Sequence, residues 1–258
     1  MSSLSRKQVD QLGDRLRRGS VSENDLRLLD AYRESFAEAY EEAVATIRTA
    51  TGLDAAGRWK TNFSIIGKLL RESTMRLTRM QDVTGCRVVV ANILEQDSVV
   101  ERLIRAFPAS KTYDRREKPS YGYRAVHVIA TAREKLVEIQ VRTELQHLWA
   151  QLSERLSDLI DPTIKYGGGE HRFRELLDRF SEETRDLEDA QASRAAVENA
   201  LDRLLPDLPV HLEGKALEAA RRAVQVKVDL AETERRFRRD MEDLISHAEA
   251  VLKARGVS

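Results

Sequence analysis

Cysteine is almost absent: Cys86 is the single one among 258 residues. That excludes an intramolecular disulfide and a cysteine metal cluster, and it suits a reducing compartment, so a cytoplasmic location is expected. Aromatic residues are sparse at 5% and prolines number five. No apolar run approaches the roughly 20 residues of a membrane-spanning helix. The N-terminus, Met1-Ser-Ser-Leu-Ser-Arg-Lys7, lacks the apolar core of a secretory signal. No membrane partner is expected. No histidine is followed by aspartate and no histidine pair has metal-ligand spacing, which argues against a metallohydrolase site.

Net charge is absent too, with 43 basic and 43 acidic residues, but the balance is local. Residues 58–142 carry 17 Lys and Arg against 9 Asp and Glu, a net +8. The first 57 residues sum to −2 and residues 143–258 to −6. A basic middle between acidic flanks points to an anionic ligand bound centrally, either a nucleotide or a nucleic acid. Apolar residues at 41% suffice for a core.

Residues 1–57 read as a helical pair, with Leu26, Leu28, Leu29, Tyr32, Phe36 and Tyr40 near helical spacing. Ser22, three residues before Asp25, is a candidate N-cap. In Arg58-Trp-Lys-Thr-Asn-Phe-Ser-Ile-Ile-Gly-Lys-Leu-Leu-Arg71, Ile65, Ile66, Leu69 and Leu70 form an apolar stripe. Lys60, Ser64, Lys68 and Arg71 fall on one helical face with no acid among them. Such a face is either simply solvated or relieved by an anion such as a polyphosphate. Cys86 to Val90 is a short β-branched strand with a buried thiol. Asp82 stands at its mouth, Gly85 permits close backbone approach, and Arg87 leaves it. Asp82 alone reads as a turn residue; a second acid nearby would make it a magnesium ligand. Residues 97–107 read as a helix burying Val99, Val100, Leu103, Ile104 and Phe107.

The strand Val137-Glu-Ile-Gln-Val-Arg-Thr143 alternates, with Glu138, Gln140 and Arg142 on one face. The preceding strand, about Tyr123 to Ala130, puts Tyr123, Ala125 and His127 on one side. The short link Thr131–Lys135 predicts an antiparallel hairpin. Tyr123, His127 and Glu138 then converge, a combination that suits a nucleotide and equally describes a wet sheet face. Leu145, Leu148, Trp149 and Leu152 of the next helix are expected on the sheet, and His147 is expected to be structural. Tyr166-Gly-Gly-Gly169 reads as a hinge or turn. Two long helices follow, parted by Pro206 and Pro209. Val224, Val228, Ala231, Met241, Leu244, Ala248 and Val251 form the stripe of a helical hairpin capable of self-association.

Together these blocks resemble the synthetase domain of the RelA/SpoT family, from about Arg58 to Glu154. Arg58-x-Lys60-x-x-x-Ser64-Ile-x-x-Lys68 looks like its ATP-binding block and Asp82-x-x-Gly85-x-Arg87 like its metal-binding strand. Gly122-Tyr123-Arg124-Ala-Val-His127 looks like its guanine-binding turn. Glu138-Ile-Gln140-Val-Arg142-Thr143, with Trp149-Ala150 after it, looks like its second catalytic block. The resemblance implies an α+β fold, a mixed or antiparallel sheet flanked by helices, with residues 46–165 as the synthetase domain, 1–45 as N-terminal helices and 166–258 as a helical extension. It implies transfer of the β,γ-pyrophosphate of ATP to the 3′-hydroxyl of GDP or GTP, without hydrolase activity. Asp82 and Glu138 would be catalytic and hold Mg²⁺. Arg58, Lys60, Ser64, Lys68, Arg71, Arg87 and Lys118 would bind ATP phosphates or adenine. Tyr123, Arg124, His127, Gln140 and Arg142 would bind the acceptor. A stand-alone small synthetase, homo-oligomeric through its C-terminal helices, is expected.

Two departures bear on the acceptor: Asp114-Arg115 stands where the family has Asp-Tyr, and Lys118-Pro119 replaces Pro-Lys. An adenine nucleotide or the tRNA 3′ end is the alternative acceptor, and a non-catalytic nucleotide- or RNA-binding module is the third reading.

Overall fold

The structure, a computed structural model, describes residues 4–19, 21–204 and 213–255. Pro206 and Pro209 and the side chains of Val224 and Val228 lie outside the described residues. The chain forms two compact units that interleave along the sequence: Met1–Val89, Ser98–Asp114 and Val126–Val141 in the first, and Val90–Asp97, Arg115–Ala125 and Arg142–Ser258 in the second.

Three helices open the first unit: α1 (Arg6–Arg17), α2 (Glu23–Glu34) and α3 (Ala37–Thr51). The expected pair is three because the chain breaks at Ser35 and Phe36, while the Tyr32, Phe36, Tyr40 spacing runs on unbroken across the break. Ser22 caps α2 as expected: its hydroxyl accepts from Asp25 N at 3.1 Å, and the Asp25 carboxylate accepts from Ser22 N at 3.3 Å. Leu12, Leu16, Leu29, Tyr32 and Phe36 then pack with Ile65 and Leu69, the buried side of α4 (Asn62–Arg71). Leu70, expected in that stripe, is 55% exposed, because the apolar side of α4 is narrower than two adjacent leucines.

The sheet is five-stranded and mixed, in the order β1-β2-β5-β4-β3. Its strands are β1 (Ala56–Trp59), β2 (Thr84–Val90), β3 (Lys111–Asp114), β4 (Val126–Ala132) and β5 (Lys135–Thr143). Strand β2 is buried on both faces at most positions, and burial pushes the Cys86 thiol up to about 12, so the residue packs as an apolar group. Between β2 and β3 runs α5 (Ile93–Ala106). Val99, Leu103 and Phe107 are buried, whereas Ile104 is exposed: four-residue steps hold one face and 104 falls off it.

The hairpin forms as expected, with Ala132 opposite Lys135. Arg133 and Glu134 take φ of 47° and 61°, the conformation of a two-residue primed turn, without glycine at either place. Strand β4 starts only at Val126. Before it Tyr121 and Gly122 both have positive φ and Tyr123 N donates back to Ser120 O, so Tyr123 belongs to a turn, whereas Ala125 O still accepts from Arg115 N at 3.0 Å.

In the second unit α6 (Glu144–Leu159) packs with α7 (His171–Leu204) and α8 (Glu213–Ala254). Leu145, Trp149 and Leu152 share their core with Leu177, Leu187, Phe237 and Met241; the apolar side of α6 therefore meets helices, where a sheet was expected. On α8 Met241, Ala248 and Leu252 are buried, and Leu244 is exposed. The glycine run is a turn. Gly167 and Gly169 have φ of 79° and 77°, and a side chain at 167, 168 or 169 would strike Tyr121, Thr163 or Ile164.

Candidate active site

The first unit gathers its charged groups where β1, β2 and α4 meet. Antiparallel pairing sets Arg58 opposite Gly85, and the pairing runs one step further, with Lys60 N donating to Val83 O at 3.2 Å. Lys60 therefore arrives from the end of a strand. Thr61 caps α4, its hydroxyl accepting from Ser64 N at 3.1 Å, and the helix delivers Lys68 two turns on. The expectation that Lys60 shares a helical face with Ser64, Lys68 and Arg71 is thus corrected. Lys60 lies before the helix; Ser64 is half-buried and Arg71 exposed on it.

Asp82, two residues before β2, is the anion that the cations lacked in sequence. Lys60 Nζ lies 2.6 Å from Oδ2 and Lys68 Nζ 2.9 Å from Oδ1, so each carboxylate oxygen holds one ammonium. Burial alone would raise the Asp82 pKa; the two ammonium groups outweigh it and bring it to about 2. The Lys60 pKa is lowered, by burial first, with Asp82 opposing.

Glu138 forms the second node. The register places His127 opposite Gln140 and next to Glu138 on the same face. His127 Nδ1 lies 3.0 Å from Glu138 Oε1, and Gln140 Nε2 donates to Oε2 at 2.7 Å. Arg58 Nη1 lies 3.7 Å from Oε2. Gly85 makes that approach possible, because a Cβ there would collide with the Glu138 carbonyl oxygen. The polar face of β5 is accordingly not a wet one: Glu138, Gln140 and Arg142 are all buried. Burial would raise the Glu138 pKa and so does the charge of Asp82, but His127 and Arg58 bring it to about 2. Strand alternation puts Arg87 on the face of Gly85.

The register also reveals a residue the sequence reading passed over. Tyr113 of β3 stands directly opposite His127, with its ring 43% exposed. The spacing of Tyr113 and His127 carried the signal, but only the β3–β4 pairing gives it meaning.

As to a divalent ion, Asp82 and Glu138 offer hard oxygen donors of the kind Mg²⁺ takes, one or two carboxylates completed by water and phosphate. Among the described residues no group of three or more His, Cys, Asp or Glu forms a self-sufficient metal cage. The donor set fits an ion whose coordination a phosphate substrate completes.

The remaining expected residues lie in the second unit. Lys118 is exposed on the loop Arg115–Ala125. Tyr123 is partly exposed; its hydroxyl accepts from Arg142 Nη2 at 2.9 Å, and the guanidinium sits 4.9 Å from its ring centre. Arg124 is buried, with Nε donating to Ser181 Oγ at 3.1 Å and Nη1 donating to the Arg116 carbonyl. Its guanidinium thus holds the protein together at this turn.

The mouth of the mixed sheet thus carries two carboxylates, Asp82 and Glu138, among lysines and arginines. The fold is similar to that of solved small alarmone synthetases. Small alarmone synthetase 1 from Bacillus subtilis superposes with a TM-score of 0.54 at 24% identity, over 66% of this chain and 97% of that one. The form of that enzyme bound to its product pppGpp gives 0.53 at 23%, over 62% and 93%. A GTP pyrophosphokinase family protein from Streptococcus pneumoniae gives 0.53 at 22%, over 70% and 97%.

Residues 57–157 match the family described as the region found in RelA / SpoT proteins. Uncharacterized proteins of Mycobacterium tuberculosis and Mycobacterium bovis are each 36% identical over 121 residues, 46% of this chain and 44% of theirs. The match thus spans less than half the length of those relatives. No helix among the described residues is long and apolar enough to cross a membrane.

Proposed function

We propose that the chain is a pyrophosphate transferase that moves the β,γ-pyrophosphate of ATP onto the 3′-hydroxyl of GDP or GTP, releasing AMP. The observation that carries this reading is the Asp82 node: one half-buried carboxylate with an ammonium on each oxygen. Transfers of this kind ask little covalent work of the protein; positioning and charge neutralisation dominate. Lys60, Lys68, Arg58 and Arg87 supply the positive charge for the triphosphate. Mg²⁺, held by Asp82 and Glu138, would screen the phosphate oxygens and fix their direction.

With its carboxyl held at about 2, Glu138 is ionised at any working pH but weakly basic. It suits accepting a hydrogen bond from the attacking 3′-hydroxyl, aiming it, and taking its proton late, as the new O–P bond forms and the bond to AMP breaks, before passing that proton to solvent. His127 and Gln140 fix the orientation of that carboxylate. Tyr123, with Arg142 on its ring, is assigned the guanine base by stacking. The bound product of the Bacillus subtilis neighbour, pppGpp, agrees with that acceptor class.

The test is incubation of the pure protein with γ-labelled ATP, Mg²⁺ and, separately, GDP, GTP, ATP and bulk tRNA. Label in ppGpp or pppGpp, lost in both Asp82→Asn and Glu138→Gln, is the expected result. Label in tRNA or an adenine nucleotide would replace the acceptor and keep the donor site. Product formation untouched by both substitutions would remove the chemistry from these residues.

A further inference from the structure

Helix α7 lies beyond the stretch that matches the RelA/SpoT family, yet its side chains reach into the turn that carries Tyr123. Ser181 and Glu188 are seven residues apart, two helical turns, and so lie on one face. Both are 3% exposed. Ser181 Oγ donates to the Gly122 carbonyl at 2.7 Å and accepts from Arg124 Nε at 3.1 Å. It therefore grips the residue on either side of Tyr123. Gly122 has φ of 83° and packs so closely that a Cβ would lie 2.7 Å from Trp149 and 3.3 Å from Ser181, which leaves the turn no room to slide.

Glu188 grips the other partner. Thr143, the residue after Arg142, donates its hydroxyl to Glu188 Oε1, and Gln146 Nε2 donates to both carboxylate oxygens at 3.0 and 3.2 Å. Thr143 is also the N-cap of α6, accepting from Gln146 N at 3.1 Å. Gln146 in turn bonds Gln96, and Arg116, whose carbonyl receives Arg124, bonds Gln96 and Asp97. One helical face thus fastens the turn holding Tyr123 at one point and the strand end holding Arg142 at another, and those two side chains meet, Arg142 Nη2 donating to the Tyr123 hydroxyl at 2.9 Å.

We propose that α7 is the positioning helix of the acceptor platform: Ser181 and Glu188 set the register in which the partly exposed Tyr123 ring, held by the buried Arg142 guanidinium, meets a purine base. The inference rests on the reading of Tyr123 as the acceptor platform. It concerns positioning alone, since neither Ser181 nor Glu188 is assigned any contact with substrate. A platform held at two separate points keeps its stacking geometry before the base arrives, so less ordering remains to be done on binding.

The experiment measures, by titration calorimetry on the full chain with Mg²⁺, the affinities for GDP and for a non-hydrolysable ATP analogue. Ser181→Ala is expected to weaken GDP about tenfold, equivalent to about 1.4 kcal/mol, and to leave the ATP analogue unchanged. Glu188→Ala should act in the same direction, and Glu188→Gln, which keeps the volume and one acceptor, should recover part of the loss. Steady-state kinetics should show the acceptor KM raised and kcat at saturating acceptor nearly kept. If Ser181→Ala does not fold, the Glu188 pair carries the same comparison. Unchanged GDP affinity in both variants, or equal weakening of both nucleotides, overturns the positioning role. A wild-type chain that binds the ATP analogue but no GDP removes the parent reading and this inference with it; wild-type GDP binding that is indifferent to both variants removes the inference alone.

Discussion

At Asp82 one carboxylate serves two ammonium groups, so its replacement leaves both without their anion. Asp82→Asn should abolish transfer and also cost about 3 kcal/mol of stability in urea unfolding, the low end of the range for stripping one partner from a buried ion pair. Gly85→Ala should be destabilising by about 1–3 kcal/mol, since its Cβ would force β5 away at the Glu138 carbonyl. A midpoint shift of that size with Arg58 untouched would tie Gly85 to the spacing of the strands. The two acids and this glycine were legible as residues, because an acid at a strand mouth and a glycine among β-branched neighbours contradict their surroundings. Tyr113 was not legible, because its meaning is a cross-strand register that no local pattern encodes.

Among elements, the hairpin between β4 and β5 spends two non-glycine residues in the left-handed region. Arg133→Asn with Glu134→Gly should raise the melting temperature by a few degrees and leave transfer unaltered, because the Arg133–Glu42 pair it sacrifices is exposed and contributes little. A lower melting temperature would mean that the charged tip matters more than its backbone. The hairpin, the Ser22 cap and the β2 strand could all be read from local signals. The start of α4 could not: Lys60, Ser64 and Lys68 keep helical spacing, but Thr61 caps the helix after Lys60, and that choice depends on β1 pairing with β2. Likewise the apolar side of α6 shows only that it must be covered, and its covering comes from residues about 30 to 90 positions later.

For the whole molecule the buried acids set the acid limit of stability. Asp82 falls from 3.8, and Glu138 from 4.5, to about 2 in the folded chain. Depressed carboxyl values mean that the stability they confer is full above about pH 4.5 and is lost as pH falls towards 2. Thermal unfolding followed across that window should show a falling melting temperature, and the double variant Asp82→Asn with Glu138→Gln should show a flatter profile. Parallel profiles would show that the acids are not linked to folding. At this scale the α+β class and the mixed or antiparallel sheet came from the resemblance of the motif blocks, and the sheet is mixed. The interleaving of two units was not, because it depends on pairs such as Gly122 with Ser181, 59 positions apart.

The three consecutive glycines after Tyr166 bear on any attempt to re-engineer the chain. A designer seeking a place to open the backbone, for a fluorescent tag or a circular permutant, would pick Gly167–Gly169 as a natural linker. Each of those positions is wedged against a neighbour that leaves no space for even a methyl group. Cargo is better grafted at the tip formed by Arg133 and Glu134, where both side chains face solvent.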